Sequence, residues 1–171
     1  MQKKAEYEQA IKTKYPEQIV FAVVKDHAGK ANPVTIGWTM VASGNPPMLA
    51  IALTPKRYST AAIRQKKCFT VAYPNEDMAE LALYFGTHSG KDCDKFADTG
   101  CKFSPAEKID SVIIDDAVAN FECTLESEHT AGDHIIFVGR VVACHINIEP
   151  KGRLYSVATN RVLGGVRPLS F

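Results

Sequence analysis

The first residues whose types suggest chemistry form a run of two cations, a phenol and two hydroxyls. They are Lys56, Arg57, Tyr58, Ser59 and Thr60. Ser59 suits the N-cap of a helix, because helix formers follow it and a serine oxygen accepts a hydrogen bond from an unpaired amide there. The free amides and dipole of a helix N-terminus favour an anion, so the run predicts a phosphate site. The alternative is that Ser59 only caps the helix and the cations are solvated.

A second run of polar residues extends over residues 87–96, and its candidate ligands are Ser89, Gly90, Lys91 and Lys95. Gly90 lets the backbone approach a ligand closely, and the two lysines supply positive charge. The alternative is a solvated surface turn, so this run gains weight only as a partner of the first one. Cys93 and Cys101, in the same polar stretch, are the cysteines to watch for redox chemistry.

A tryptophan and a histidine complete the candidate residues. Trp38 is the only tryptophan, and its ring suits either a wall for a planar ligand or a contact in the core or a subunit interface. His134 follows Asp133 at the start of a predicted strand, where an imidazole suits proton transfer; a surface histidine is the alternative. Because neighbouring strand residues point to opposite faces, Asp133 need not orient His134. The five histidines show no metal-ligand spacing, so no metal is expected.

Strands and short helices must position these residues. The β-rich runs predict strands at 19–25, 34–41, 48–53, 68–73, 118–127 and 135–148. Short helices are expected after Ser59 and after Asn75, the second ending at Gly86. Residues 131–133 give a hairpin signal, and the aperiodic residues 87–108 predict a long surface excursion. Short strands without βαβ alternation predict a mainly β fold, an antiparallel barrel that is closed or nearly closed.

Length and charge limit the function classes. The chain has 171 residues, with 20 Lys and Arg against 19 Asp and Glu and a formal net charge of +1. No strong global field therefore draws it to nucleic acid or to an anionic membrane. The sequence contains no apolar run that could span a membrane and no apolar signal-peptide segment, so a cytoplasmic location is expected. The five cysteines are an odd number without CxxC spacing, which predicts reduced thiols.

Five segments, taken in order, resemble the flavin reductase-like family, with flavoredoxin as the nearest branch. They are residues 32–40, Asn45-Pro46-Pro47, Lys56 to Thr60, Ser89-Gly90 with Asp94-Lys95-Phe96, and Gly132-Asp133-His134 followed by residues 136–141. The resemblance covers about residues 19–160, and each segment alone is weak. It predicts residues 1–18 as an N-terminal extension and residues 19–171 as a single domain.

What this resemblance implies is an FMN-binding split β-barrel, a Greek-key antiparallel barrel with a few short helices, working as a homodimer with flavin near the subunit interface. The segment Trp38, Thr39 and Met40 would run along the isoalloxazine ring, and residues 56–60 would receive the phosphate. Ser89, Gly90, Lys91 and Lys95 would close over the flavin. His134 matches a family histidine associated with nicotinamide or flavin placement, and is the expected catalytic residue.

The implied function is an oxidoreductase that passes electrons from NADH, NADPH or a redox partner protein through bound FMN to an acceptor. Since the flavin performs the redox step, the protein has to hold the ring, bias its potential and admit the donor and the acceptor. Two alternatives stay open. One is a flavin-binding module without turnover, and the other is a reductase component that supplies free reduced flavin to a monooxygenase.

Overall fold

The chain is described here by a computed structural model of residues 1–168, in which strands predominate over short helices. Over this range the β-strands are β1 (Glu17–Gln18), β2 (Val20–Lys25), β3 (Ala31–Ile36), β4 (Thr39–Gly44), β5 (Pro47–Leu53), β6 (Cys68–Tyr73), β7 (Phe103–Pro105), β8 (Val112–Ile114), β9 (Ala119–Ala131), β10 (His134–Ile146), β11 (Tyr155–Ala158) and β12 (Val162–Gly164). The α-helices are α1 (Tyr7–Ala10), α2 (Tyr58–Lys66), α3 (Ala79–Thr87) and α4 (Lys95–Thr99). The mainly β prediction is confirmed.

Seven antiparallel strands form the main sheet, in the order β3-β2-β6-β9-β10-β5-β4. The sheet curls until β3 contacts β5, which gives the split barrel that was expected. Tight hairpins join β4 to β5 and β9 to β10, and α2 carries the chain across the barrel from β5 to β6. This crossing places the start of α2 beside β3, where the site described below lies.

Strand β2 is buried on both faces, which explains its continuous apolar sequence. Val20 and Val24 belong to the core inside the barrel. Phe21 points to the outer face, where its ring meets Phe85 of α3 edge-on with the centroids 5.1 Å apart. Phe96 of α4 joins the same outer cluster, so α3 and α4 form a helical layer against the sheet. This layer fixes the position of the residue beside Phe96, which is Lys95.

Several boundaries differ from the sequence prediction. The predicted strand at 34–41 is two strands, β3 and β4, because the chain bends at Gly37 and Trp38. The predicted excursion at 87–108 contains α4 and β7. The helix expected to end at Gly86 ends one residue later, whereas Asn75 caps the preceding turn as expected, accepting a hydrogen bond from the Asp77 amide at 2.8 Å.

A small second sheet joins the two ends of the described chain. Residues 17–18 form β1, which pairs with β11, and β11 pairs with β12. Part of the predicted N-terminal extension therefore packs on the barrel, and the domain boundary at residue 19 stays a prediction. The last residues of the predicted domain, 169–171, lie outside the described residues. None of the helices within residues 1–168 has the length and apolar composition needed to cross a membrane.

Candidate functional site

The start of α2 carries the first predicted run of residues. Arg57 is the N-cap residue and makes no side-chain capping bond, so the prediction that Ser59 caps this helix is wrong. A turn from Thr54 brings the chain into the helix earlier than expected, since the Arg57 amide donates to the Thr54 carbonyl at 3.1 Å. The Thr60 hydroxyl donates to the same carbonyl at 2.8 Å. Lys56 and Arg57 are exposed, and neither pairs with a carboxylate within residues 1–168.

Tyr58 fastens α2 to the turn between β2 and β3. Its hydroxyl donates to the Asp26 carboxylate at 3.1 Å, and the amides of Ala28 and Lys30 donate to the other oxygen of that carboxylate at 2.9 Å. Burial and the bond to Asp26 raise the pKa of the Tyr58 hydroxyl. This bond helps Tyr58 to position the helix, and its predicted contact with a cofactor stays a prediction.

Lys95 is 3% exposed, which is unusual for a lysine, and its ammonium group lies in the protein interior. Its Nζ donates to the carbonyl of Pro33 at 2.7 Å and to the carbonyl of Phe85 at 3.0 Å, so one of its three N–H groups remains. Burial is the main reason why the pKa of Lys95 is lowered to about 8, and the positive charge of Arg57 acts in the same direction. Among the described residues no carboxylate forms an ion pair with Lys95, so this charge lacks an anion.

Asn32 holds a second unsatisfied polar group in the same region. Its Nδ2 donates to the Ser59 hydroxyl at 2.9 Å, whereas its Oδ1 is buried and has no hydrogen-bond partner among the described residues. Gly90 packs against this side chain so closely that a Cβ on Gly90 would lie 2.5 Å from Asn32 Cγ. Ser89 accepts a bond from the Lys91 amide at 3.2 Å. An acceptor buried without a donor is costly, so Oδ1 is a candidate to accept a hydrogen bond from a ligand.

Asn32 contacts both Ser59 and Gly90, and Lys95 binds the carbonyl of Pro33, the residue after Asn32. We call these four residues, Asn32, Ser59, Gly90 and Lys95, the polar cluster. It unites members of both predicted runs, which lie far apart in the sequence. Lys91 is exposed and donates through its backbone only to the neighbouring Ser89, so its side chain stands outside the cluster.

Trp38 and His134 form an aromatic corner. Their ring centroids are 4.3 Å apart with a tilt of 42°. His134 Nδ1 lies 2.7 Å from Asp133 Oδ1, and this bond lowers the pKa of the Asp133 carboxyl. The expectation that Asp133 need not orient His134 is wrong, because Asp133 lies in the turn before β10, where the alternation of strand side chains does not hold. With Nδ1 donating to the carboxylate, Nε2 is left for a ligand.

A trench runs from this corner along the start of α2. It consists of two adjoining cavities, of about 430 and 370 Å³, that share Arg57, Thr35, Gly37, Tyr15 and Glu17. The first cavity is also lined by Trp38 and His134, and the second by Thr87, Ser156, Asn160 and Arg161. Arg57 borders both cavities and lies near Lys95, so it connects the trench with the polar cluster.

Thr39 and Met40 follow Trp38 on β4. With Trp38 they line a smaller cavity of about 200 Å³, where the Thr39 hydroxyl is buried and has no partner among the described residues. Met40 is 55% exposed.

Elsewhere, burial raises the pKa of the Cys101 thiol to about 11, which disfavours the reactive thiolate. Residues 1–168 contain no group of three or more His, Cys, Asp or Glu side chains placed to hold a metal ion.

The sequence patterns missed three contributors to the site. Asn32 lies in the first of the five segments, residues 32–40, but only the fold shows that its side-chain oxygen is unpaired. Tyr15 belongs to the predicted extension, and pairing of β1 with β11 carries it to the trench. Arg161 follows Asn160 in a hairpin turn, and both residues have φ of 61°. The asparagine is the one sequence signal that would have indicated this turn, because asparagine is enriched at positive φ.

Comparison with known proteins gives a family model and relatives that match most of this chain. The family model described as "Flavin reductase like domain" matches residues 13–162. An uncharacterized protein of Pyrococcus abyssi is 33% identical over 129 residues, which are 75% of this chain and 73% of that protein.

Two solved structures share the fold. The FMN-binding protein of Thermus thermophilus, solved with bound 1-cyclohex-2-enone, aligns with a TM-score of 0.85 and 23% identity over 100% of this chain and 98% of its own. Flavoredoxin of Desulfovibrio vulgaris (Miyazaki F) aligns with a TM-score of 0.87 and 21% identity over 100% of this chain and 96% of its own. At these identities the likeness establishes the fold only.

Proposed function

The chain belongs to the flavin reductase-like domain family, and from this premise we propose that it is an FMN-binding oxidoreductase of flavoredoxin or flavin reductase type. It would transfer electrons from NADH, NADPH or a redox partner protein to an acceptor. When bound, FMN supplies the electron-transfer chemistry itself. The residues described above would bind the cofactor, orient it and admit the two reactants.

The observation that carries this proposal is the buried ammonium of Lys95 beside Arg57, without an anion among the described residues. A buried charge is expensive unless it is paired, and a phosphate would pair both cations. Arg57, Ser59 and Lys95 would therefore hold the phosphate of FMN, together with the amides at the start of α2. The predicted Lys56, Tyr58, Thr60, Ser89 and Lys91 stay as proposed neighbours of the cofactor.

The remaining unsatisfied groups suit the rest of the cofactor. Asn32 Oδ1 accepts hydrogen bonds and would take one from a sugar-alcohol hydroxyl. The buried Thr39 hydroxyl has no partner among residues 1–168 and lies beside Trp38, where a flat polar ring would find both a hydrogen bond and an aromatic wall. In this proposal Trp38, Thr39 and Met40 would run along the isoalloxazine ring. Gly90 would keep its own backbone close to Asn32.

Burial of the phosphate site favours a cofactor that stays bound. A diffusing flavin substrate would leave the buried ammonium of Lys95 without an anion in every cycle, whereas a retained cofactor keeps it paired. We therefore prefer bound FMN to a flavin that leaves reduced to supply a monooxygenase.

We extend the proposal to a homodimer. Val41 on β4 is 70% exposed and Ile146 on β10 is 81% exposed. Val41 also lines an apolar cavity of about 460 Å³, together with residues that include Leu49 and Phe121. Exposed apolar surface of this kind is typical of protein interfaces, and sedimentation should give the mass of two chains.

An anaerobic absorbance spectrum of the purified protein tests the central proposal, recorded before and after addition of NADH and then NADPH. Flavin bands that bleach with either nucleotide would support the oxidoreductase and identify its donor. Bands that persist with both would favour a protein-fed carrier or a binding module. A colourless protein that takes up no added FMN would refute the flavin proposal.

His134 is proposed to act on the reaction and not on cofactor binding. Its imidazole lies against the Trp38 ring at a tilt of 42° and is oriented by Asp133, so Nε2 would meet the flavin ring or the donor in the trench. We expect His134→Ala to leave FMN affinity within about threefold and to slow flavin reduction by about 10²-fold, the range typical of a lost proton-transfer group. Stopped-flow reduction measures this effect. Asp133→Asn is the positioning control, and an unchanged rate in His134→Ala would leave that residue with a structural role only.

A further inference from the structure

Arg161 occupies a backbone conformation that glycine would adopt at lower energy. It lies with Asn160 at the tip of the β11–β12 hairpin, and both have φ of 61°. Three residues, 159–161, connect the paired Ala158 and Val162. Asparagine adopts positive φ more readily than other non-glycine residues, whereas arginine at positive φ is strained. Strained non-glycine residues of this kind concentrate at functional sites.

The hairpin places the cation of Arg161 on the wall of the trench, in the cavity that Arg57 at the start of α2 also lines. Arg161 is exposed and lines the second cavity together with Arg57 and Thr87. Within residues 1–168 it forms no ion pair, whereas Glu17 in the same cavity is bound by Lys14 at 2.6 Å. Arg161 is thus a cation in a cavity without a protein anion to satisfy it.

One phosphate does not account for all the cations here. A phosphate monoester carries a charge of about −1.5 to −2 at pH 7, which Lys95 and Arg57 balance. Arg161 is then in excess, and it stands on an exposed hairpin where a ligand can exchange, whereas Lys95 is buried. The trench continues from this hairpin to Trp38 and His134, where a second planar reactant would meet the cofactor.

We propose that Arg161, with Ser156 and Asn160 beside it, binds a phosphate of the nicotinamide dinucleotide donor. This site is the second cavity of the trench, away from Trp38 and His134. This inference rests on the proposed function, because it assumes a flavin in the first cavity and a dinucleotide donor. It assigns a donor-binding role to the β11–β12 hairpin, outside both polar runs.

The test compares Arg161→Gly with Lys67→Gly. Lys67 is also a cation at positive φ, 55°, but it terminates α2 and does not line the trench. Glycine relieves the same backbone strain at both positions, so the unfolding midpoint should be unchanged or higher in both variants. Calorimetric titration with oxidised NAD and NADP, which do not turn over, measures donor binding to the FMN-loaded protein.

We expect Arg161→Gly to weaken binding of at least one dinucleotide by about tenfold or more, the loss typical of a charge-assisted hydrogen bond. FMN affinity should stay within about twofold, and Lys67→Gly should match the wild type in both titrations. An equal loss of FMN affinity in Arg161→Gly would assign Arg161 to the flavin phosphate and overturn the inference. Unchanged dinucleotide binding in Arg161→Gly would also overturn it. So would a wild-type protein that binds neither dinucleotide. If the wild type takes up no FMN, the proposed function fails separately, and the same titrations of the purified chain still decide the role of Arg161.

Discussion

Replacement of Lys95 by methionine is expected to weaken FMN binding about 30- to 150-fold. This range corresponds to about 2–3 kcal/mol, the loss of a buried charge-assisted hydrogen bond to phosphate. Methionine is similar in length and apolar, and it removes a buried charge that no carboxylate among residues 1–168 pairs, so the fold should survive the substitution. Fluorescence quenching of free FMN measures the affinity, and circular dichroism checks the fold.

Lys102→Met provides the matched control. Lys102 is an exposed lysine that lies shortly after α4 and does not line the trench, so its loss removes the same charge from the surface. Its affinity for FMN should equal that of the wild type. If Lys95→Met binds FMN within threefold of the wild type, the phosphate does not lie at Lys95 and the placement of the cofactor is wrong.

The lowered pKa of Lys95 also gives FMN binding a pH dependence. Burial holds this pKa at about 8 in the flavin-free chain, and a bound phosphate would raise it. Above pH 8 binding must therefore take up a proton, and the affinity should fall by up to about tenfold per pH unit. The stability of the flavin-free chain should change with pH in the opposite direction. Between pH 8 and about 10.4 the unfolded chain binds more protons than the folded chain, so the free energy of unfolding should rise with pH. Lys95→Met should lack both effects.

The sequence predicted those parts of the fold that depend on local patterns. The apolar run of β2, the hairpin at residues 131–133 and the cap at Asn75 each follow from a few adjacent residues. The split barrel followed from the resemblance, because the order of the five segments carries information that periodicity does not. Both polar runs were located, and members of both meet in the polar cluster.

What the sequence could not predict depends on contacts between distant residues. Lys95 reads as a solvated lysine until its bond to the Pro33 carbonyl, 62 positions away, shows that it is buried. Arg161 reaches the trench only because β11 pairs with β1 at the other end of the described chain. Asp133 meets His134 because the turn before β10 departs from strand geometry. These contacts decide which of the many polar residues belong to the site.

Replacement of Gly90 by alanine should disrupt the polar cluster without removing a functional group. A Cβ at this position would lie 2.5 Å from Asn32 Cγ and still closer to its Oδ1, so the asparagine must move and its bond to Ser59 must break. We expect a loss of about 1–3 kcal/mol in the free energy of unfolding, the usual effect of overpacking, and a loss of FMN affinity of about tenfold or more. Urea denaturation and FMN titration measure the two effects.

Two further variants separate packing from cofactor binding at Gly90. Gly164→Ala is the control for the substitution itself, because a Cβ there meets only the Val157 side chain, at an ordinary contact distance of 3.7 Å, and it should change neither quantity. In the double variant Gly90→Ala with Asn32→Ala the two contacts shorter than 3 Å are gone and only the Cβ–Cβ contact of 3.2 Å remains, so stability should return part of the way toward that of the wild type. FMN affinity should stay low, because the acceptor Oδ1 is also gone. If the double variant recovers both stability and affinity, Asn32 only fills space, and the hydrogen bond proposed between its oxygen and the cofactor does not form.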